Sequence, residues 1–262
     1  METTNETPAA PPLHWREAFL EALGLGLFMM SAGGFGTLLE YPGSPVHQAI
    51  ASPFARRALM GLAMGATAIG LVYSPWGRRS GAHINPAFTA TMFRLGRVSG
   101  RDAVAYVVAQ FAGGVAGVTL LAVLLGNVFL APPVEAVATL PGAHGAAVAF
   151  AAEVGISFGL VLMVLTLGSS ARLARYTGCF VGAVLFLYIT FEAPLSGMSM
   201  NPARTLASAL PAGNARGLWI YFTAPLTGML LASEAHVRLA RSKRAGCAKV
   251  MHSHPCIFCG GS

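Results

Sequence analysis

Charge is what this sequence has least of. Only 10% of its 262 residues are Asp, Glu, Lys or Arg, whereas a soluble domain usually carries about 25%. Hydrophobic residues make up 55%, and the mean hydropathy is +0.62. This balance excludes an ordinary soluble domain and predicts an integral membrane protein. No short apolar segment with a small-residue cleavage site precedes the first long apolar run, so we expect no cleaved signal peptide.

Cysteine is also scarce, and catalytic motifs are not evident. Of four cysteines, Cys179 lies in an apolar run and three lie in the last sixteen residues, which excludes an extracellular disulfide framework. The net charge of +7 comes without a stripe of interleaved basic and aromatic residues, so no nucleic-acid partner is expected. No nucleophile–base pair, membrane-embedded metal cluster or phosphate loop is recognisable. We therefore expect neither enzyme activity nor a cofactor in the membrane region.

Six apolar runs are long enough to cross a bilayer, which takes about 20 residues. They lie at about 18–39, 54–74, 102–125, 146–168, 177–193 and 217–237. The preceding segment, 1–15, is rich in Thr, Ala and Pro and is predicted to be a disordered tail. We expect one membrane domain over 16–240, with halves at about 16–126 and 146–240, and a second tail at 241–262.

Two similar stretches follow the second and fifth runs. They are Ser80-Gly-Ala-His-Ile-Asn-Pro-Ala-Phe-Thr89 and Ser196-Gly-Met-Ser-Met-Asn-Pro-Ala-Arg-Thr205, with six identical residues at an offset of 116. Asn is a favourable helix N-cap and Pro suits the first helical position, so each stretch predicts a helix start. The helix-compatible residues that follow, 87–95 and 203–210, are too few to cross a bilayer. We expect a duplicated half-helix rather than two caps that are alike by chance.

Each half of the chain then contains three spans and one half-helix. Three is an odd number, so the two halves must insert into the membrane with opposite orientations. This is the arrangement of inverted repeats, whose shared site lies near the bilayer midplane between discontinuous helices.

Lys and Arg predict the orientation, because cytoplasmic loops carry an excess of them. With both termini in the cytoplasm, thirteen of these residues are cytoplasmic and four are external or in the pore. The four are Arg56, Arg57, Arg204 and Arg216. No organelle signal is evident, which favours a plasma membrane or a bacterial inner membrane.

The two Asn-Pro-Ala boxes, "SGAHINPAFT" and "SGMSMNPART", resemble those of the aquaporin (major intrinsic protein) family. Further similarities are Glu21, Glu153, Gln110 and Pro225, and the resemblance covers about 15–240. It implies an all-α membrane fold with six transmembrane helices and two re-entrant half-helices in an inverted repeat. It also implies a bacterial-type channel in the bilayer that assembles as a homotetramer, with one pore per subunit.

The resemblance assigns the centre of the pore to the two boxes. Its residues are Asn85, Pro86, Ala87, Asn201, Pro202 and Ala203. A helix N-terminus carries roughly half a positive charge, so two of them meeting at the midplane repel cations. The Asn side chains would orient a passing water so that it cannot relay a proton, as in aquaporin-type selectivity.

The same family pattern assigns pore acceptors and a constriction. The backbone carbonyls are those of Gly81, Ala82, His83, Ile84, Gly197, Met198, Ser199 and Met200. Arg204 is the fixed cation of the outer filter, with Met198, Ile189 and either Met64 or Gly65 beside it. Typical water-selective members have a His and an aromatic residue there. The filter expected here is apolar, which puts strict water selectivity in doubt.

Other residues favour the water-channel branch. Thr205 and Ala209 stand where the glycerol branch typically has an Asp and a basic residue, and Tyr221-Phe222 replaces its Pro and aliphatic residue. We therefore expect a passive channel for water that also admits small neutral solutes. A facilitator of glycerol or a similar solute is the alternative.

The buried carboxyls allow a third interpretation. Glu21 and Glu153 are ionisable groups inside predicted spans, which is also typical of proton-coupled transporters. One glutamate per half, together with the family pattern and Gln110, favours a structural role in which each carboxylate orients the backbone of a box.

The C-terminal tail contains residue types that bind metals. Cys256 and Cys259 have metal-ligand spacing, and Cys247, His252 and His254 lie near them. The residues are consistent with a zinc, copper or redox site, but a lone Cys-x-x-Cys is a weak signal, and a cytoplasmic tail with reduced thiols and no bound metal is the favoured interpretation.

Overall fold

The computed structural model describes residues 13–239 and 247–250, and within these ranges every regular element is helical. Most of the expected N-terminal tail lies outside the described residues, as do His252, His254, Cys256 and Cys259. The helices are α1 (Trp15–Glu40), α2 (Pro45–Ala49), α3 (Pro53–Tyr73), α4 (Pro75–Ser80), α5 (Pro86–Arg94), α6 (Gly100–Leu125), α7 (Asn127–Leu130), α8 (Ala146–Gly168), α9 (Thr177–Phe191), α10 (Ala193–Ser196), α11 (Pro202–Ala212) and α12 (Leu218–Leu239).

Six long helices occupy the six apolar runs: α1, α3, α6, α8, α9 and α12. Among the described residues, five stretches are long and apolar enough to cross a membrane, and α12 is not one of them. Helix α12 has 22 residues but carries Glu234, His236 and Arg238 near its end. The fifth run was expected at about 177–193, and α9 ends two residues earlier, at Phe191. Pro194 has no N–H to donate to the carbonyl four residues earlier, so the helical hydrogen-bond ladder is interrupted, and a short helix, α10, follows.

The half-helices α5 and α11 begin at the proline of each box. Asn85 and Asn201 are their N-caps, and each side chain accepts two backbone N–H bonds. Helix α5 has 9 residues and α11 has 11, which correspond to about 14 and 17 Å at 1.5 Å per residue. Both are too short to cross the hydrocarbon core of about 30 Å. The predicted half-helices are confirmed, with Asn at the N-cap and Pro at the first helical position of each.

The helices pack as two similar halves. Within the first half α1 packs against α6, within the second α8 packs against α12, and α3 and α9 pack against each other between the halves. Glycines allow these close approaches: a Cβ at Gly65 of α3 would lie 2.5 Å from the carbonyl oxygen of Gly182 in α9. Small residues at such interfaces are typical of helices packed in a membrane.

Polarity is distributed as a lipid environment requires. Glu21, Gln110 and Glu153 are fully buried at 0% exposure, whereas Val104 and Val123 on α6 are 65% and 77% exposed. Apolar side chains outside and hydrogen-bonded polar side chains inside suit a molecule surrounded by acyl chains. The polar groups therefore mark the functional interior.

The contact between α1 and α6 can be tested at Gly113. A Cβ there would lie 2.0 Å from the backbone oxygen of Ala22. We expect Gly113→Ala to force α1 and α6 apart and to lower the apparent melting temperature in detergent, at a cost of about 1–3 kcal/mol. Gly34→Ala is the matched control, because a Cβ at Gly34 meets nothing within 4 Å. Equal melting temperatures for the two variants would contradict this packing.

Candidate functional site

The two boxes are hydrogen-bonded to each other. Nδ2 of Asn85 donates to the carbonyl oxygen of Met200 at 2.7 Å, and Nδ2 of Asn201 donates to that of Ile84 at 2.7 Å. Each Oδ1 accepts from N–H groups of its own half-helix, at 2.9 and 3.4 Å for Asn85 and at 3.1 and 3.2 Å for Asn201. An Asn amide has two N–H bonds, so one per residue is left for the cavity that both side chains line.

Glu21 holds the first box from behind. Its carboxylate accepts the backbone N–H of His83 at 3.0 Å and that of Ile84. Nε2 of Gln110 donates to the same carboxylate at 2.9 Å and to Oγ1 of Thr89 at 3.1 Å. Charge-assisted hydrogen bonds of this kind are stronger than neutral ones. Glu21 thereby fixes the direction of the backbone that leads to Asn85.

Glu153 does the same for the second box. Its carboxylate accepts the N–H of Ser199 at 2.7 Å and that of Met200 at 2.8 Å. The hydroxyl of Ser196 donates to it at 2.9 Å. The two halves thus contain the same arrangement at equivalent positions. In each, a buried carboxylate accepts the hydrogen bonds of two backbone N–H groups that water would otherwise accept.

The backbone before each Asn is locally strained. Ala82 and Ile84 have φ values of 51° and 38°, and Met198 and Met200 have 53° and 55°. Left-handed conformations at non-glycine residues cost about 1–3 kcal/mol each and persist only where neighbouring groups enforce them. Glu21 and Glu153 accept the N–H groups of Ile84 and Met200. The hydroxyls of Ser80 and Ser196 accept those of Ala82 and Met198. The carbonyls of Ile84 and Met200 meet the opposite Asn.

One tyrosine, with no role in the box expected from the sequence, is hydrogen-bonded to each box. The hydroxyl of Tyr106 donates to the carbonyl of Ser80 at 2.8 Å, and that of Tyr221 donates to the carbonyl of Ser196 at 2.6 Å. Tyr221 was considered only as a marker of the water-channel branch. The two tyrosines are 115 positions apart, whereas the offset of 116 leads from Tyr106 to Phe222, so the pair is found only if the offset is allowed to differ by one residue.

A cavity of about 450 Å³ runs between the halves. Four residues of the expected filter line it: Met64, Ile189, Met198 and Arg204. Gly65, the other possibility for α3, faces the backbone of α9 instead. Nη1 of Arg204 is buried and has no hydrogen-bond partner among the described residues. Besides Arg204, the expected filter residues that line the cavity are thus thioether and aliphatic side chains.

The metal hypothesis for the C-terminal tail stays a prediction. In ranges 13–239 and 247–250, no three His, Cys, Asp or Glu residues are grouped to hold a metal ion. Cys247 is partly buried and is in no disulfide within those ranges, and the other four tail residues lie outside them.

Comparison with known proteins decides the family. A family model described as Major intrinsic protein matches residues 9–236. The chain belongs to the major intrinsic protein family. It is 33% identical to Aquaporin NIP1-4 of Oryza sativa subsp. japonica over 204 residues, which cover 77% of this chain and 68% of the rice protein. It is 36% identical to Aquaporin NIP6-1 of Arabidopsis thaliana over 175 residues, 66% of this chain and 55% of that protein.

A solved structure has the same fold. The aquaglyceroporin from Plasmodium falciparum aligns with a TM-score of 0.70 and 19% identity, covering 86% of this chain and 96% of that one. The expected aquaporin-like, all-α membrane fold is confirmed. As a member of this family the protein is a multi-pass membrane channel that passes water or small solutes passively.

The support from the glutamates can be tested at Glu153. In Glu153→Gln, an amide NH₂ would replace one acceptor oxygen opposite the backbone N–H groups of Ser199 and Met200. We expect a lower apparent melting temperature, corresponding to at least about 1.5 kcal/mol for one lost bond to a charged group. Glu234→Gln is the control, because Glu234 pairs with Arg238 on the surface. A variant at Glu153 as stable as this control would show that the carboxylate does not hold the box.

Proposed function

We propose that this protein is a channel for water that also passes small neutral solutes and excludes ions and protons. The observation that carries the proposal is the pair of bonds between Asn85 and Met200 and between Asn201 and Ile84. These bonds fix both amides with one N–H each left toward the cavity. Two donors on neighbouring residues are suited to hold one water oxygen at the centre.

A water held by these donors points both hydrogens outward. It cannot then accept a proton from one neighbour and pass one to the next, which interrupts proton transfer along the file. The N-termini of α5 and α11 add roughly half a positive charge each and repel cations. A neutral molecule with a hydrogen-bond acceptor meets no comparable barrier.

The apolar filter supports passage of solutes beside water. Met64, Ile189 and Met198 line the cavity with Arg204. Methionine is flexible and polarisable, so these walls can yield to a small carbon skeleton while the guanidinium offers donors to its hydroxyl or carbonyl groups. A facilitator whose main substrate is glycerol or a similar solute is the second candidate, favoured by the same filter.

Proton-coupled transport is less well supported. Both oxygens of Glu21 and of Glu153 are engaged by backbone N–H groups and by Gln110 or Ser196. A proton carrier would have to break several of these bonds in each cycle. The bonding supports a structural role for both carboxylates.

We also propose that the protein is a homotetramer with both termini in the cytoplasm of a plasma or bacterial inner membrane. The excess of Lys and Arg on the terminal side supports this orientation. Apolar exposed faces such as that of α6 would contact lipid or neighbouring subunits. Cross-linking of the protein in its membrane, followed by denaturing electrophoresis, would give a four-subunit ladder.

Stopped-flow light scattering on proteoliposomes tests the substrate. We expect water permeability above that of empty liposomes, and glycerol equilibration faster than in them but slower than water, because an apolar constriction with one cation admits both. Water permeability at the background level, both in the full chain and in V250N, a substitution of a valine that lines the cavity, would contradict the water channel. Glycerol equilibration no faster than in empty liposomes would show that the channel passes only smaller molecules.

Arg204 can be tested by removing its side chain. Arg204→Ala should open the constriction and accelerate the passage of glycerol relative to water severalfold. Arg216→Ala is the matched control, because Arg216 is exposed on the loop before α12. If both variants keep the glycerol-to-water ratio of the unmodified chain, Arg204 does not form the constriction.

A further inference from the structure

A short C-terminal segment lies inside one mouth of the pore. This is the mouth on the side where α1 begins and α12 ends, and we call it the inner mouth. Residues 247–250 form no helix, yet Ala248, Lys249 and Val250 are only 1%, 7% and 8% exposed. Such burial shows that the segment occupies a fitted site.

Two hydrogen bonds hold the segment on the first box. The N–H of Val250 donates to the carbonyl oxygen of Gly81 at 3.0 Å. Nε2 of His83 lies 3.0 Å from the carbonyl oxygen of Ala248. Because a carbonyl oxygen can only accept, the histidine donates in this contact. One acceptor and one donor of the pore wall are therefore used by the backbone of the segment.

Apolar packing closes the space around these bonds. Val250 lines the same cavity as Asn85 and Arg204, and it belongs to the apolar cluster that contains Ala82, Phe88 and Val164. The approach is close: a Cβ at Gly81 would lie 3.1 Å from Cγ of Lys249. Gly81 thus leaves room for the backbone and side chain of Lys249, and the side chain of Val250 fills the apolar space beside it.

We propose that residues 247–250 form an autoinhibitory plug that closes the inner mouth, so that the pore conducts fully only when the segment leaves. The proposal rests on the channel function proposed above. The plug takes the Gly81 carbonyl and the His83 donor, which a permeating molecule would otherwise use, and places the Val250 side chain in its path. Departure of the segment would return both polar groups to water.

The test uses the full chain with single substitutions at the plug. Val250→Asn places a polar amide in an apolar site, and Val250→Pro removes the N–H that Gly81 accepts. Val237→Asn is the matched control, because Val237 is exposed near the end of α12 on the same side. Water permeability of proteoliposomes is measured by stopped flow, and hydrogen–deuterium exchange of the peptide containing residues 247–250 reports whether the segment is docked.

We expect both Val250 variants to raise water permeability severalfold over the unmodified chain, with faster exchange of the segment, and the control to change neither. Equal permeability in all four proteins, above that of empty liposomes, would overturn the plug and leave the channel function standing. Faster hydrogen–deuterium exchange of the segment without a rise in water permeability would lead to the same conclusion, because the segment would then leave its site without opening the pore. Variants no more permeable than empty liposomes would overturn both, because an open mouth would then lead to no pore.

Discussion

Two buried carboxylates hold the backbone on which the pore depends. Glu21 and Glu153 each accept two consecutive N–H groups from the segment before a box. Without these acceptors the N–H groups of the left-handed residues Ile84 and Met200 would have no partner in a region that lipid keeps dry. Charged residues are scarce in this chain, and these two carboxylates orient backbone N–H groups that have no water to bond.

The asparagines depend on this support. Each caps a half-helix with its side-chain oxygen and donates one side-chain N–H to a backbone carbonyl of the opposite box. Because each side chain is bonded both to its own half-helix and to the opposite box, neither amide can rotate without losing hydrogen bonds in both halves. A fixed donor pair beside two positive helix ends is a physical reason for a channel to admit neutral molecules and to reject charge.

Much of this could be predicted from the sequence, since the repeated Asn-Pro signals, the apolar runs and the glutamates have local physical meanings. The half-helices and the all-α membrane fold are confirmed. Spacing alone could not choose between Met64 and Gly65, because that choice depends on how α3 rotates against α9. The docking of residues 247–250 could not be predicted either, since it depends on contacts with Gly81 and His83, which are far away in the sequence.

The central claim is that the braced asparagines pass water while interrupting proton transfer. It is tested most directly by measuring water flux and proton flux in the same proteoliposomes, made with the full chain and with V250N. A pH-sensitive dye inside the vesicles, with valinomycin to clamp the voltage, reports the protons. The account predicts water flux above that of empty liposomes in V250N and proton flux equal to theirs in both proteins. Proton flux that rises together with water flux would contradict it.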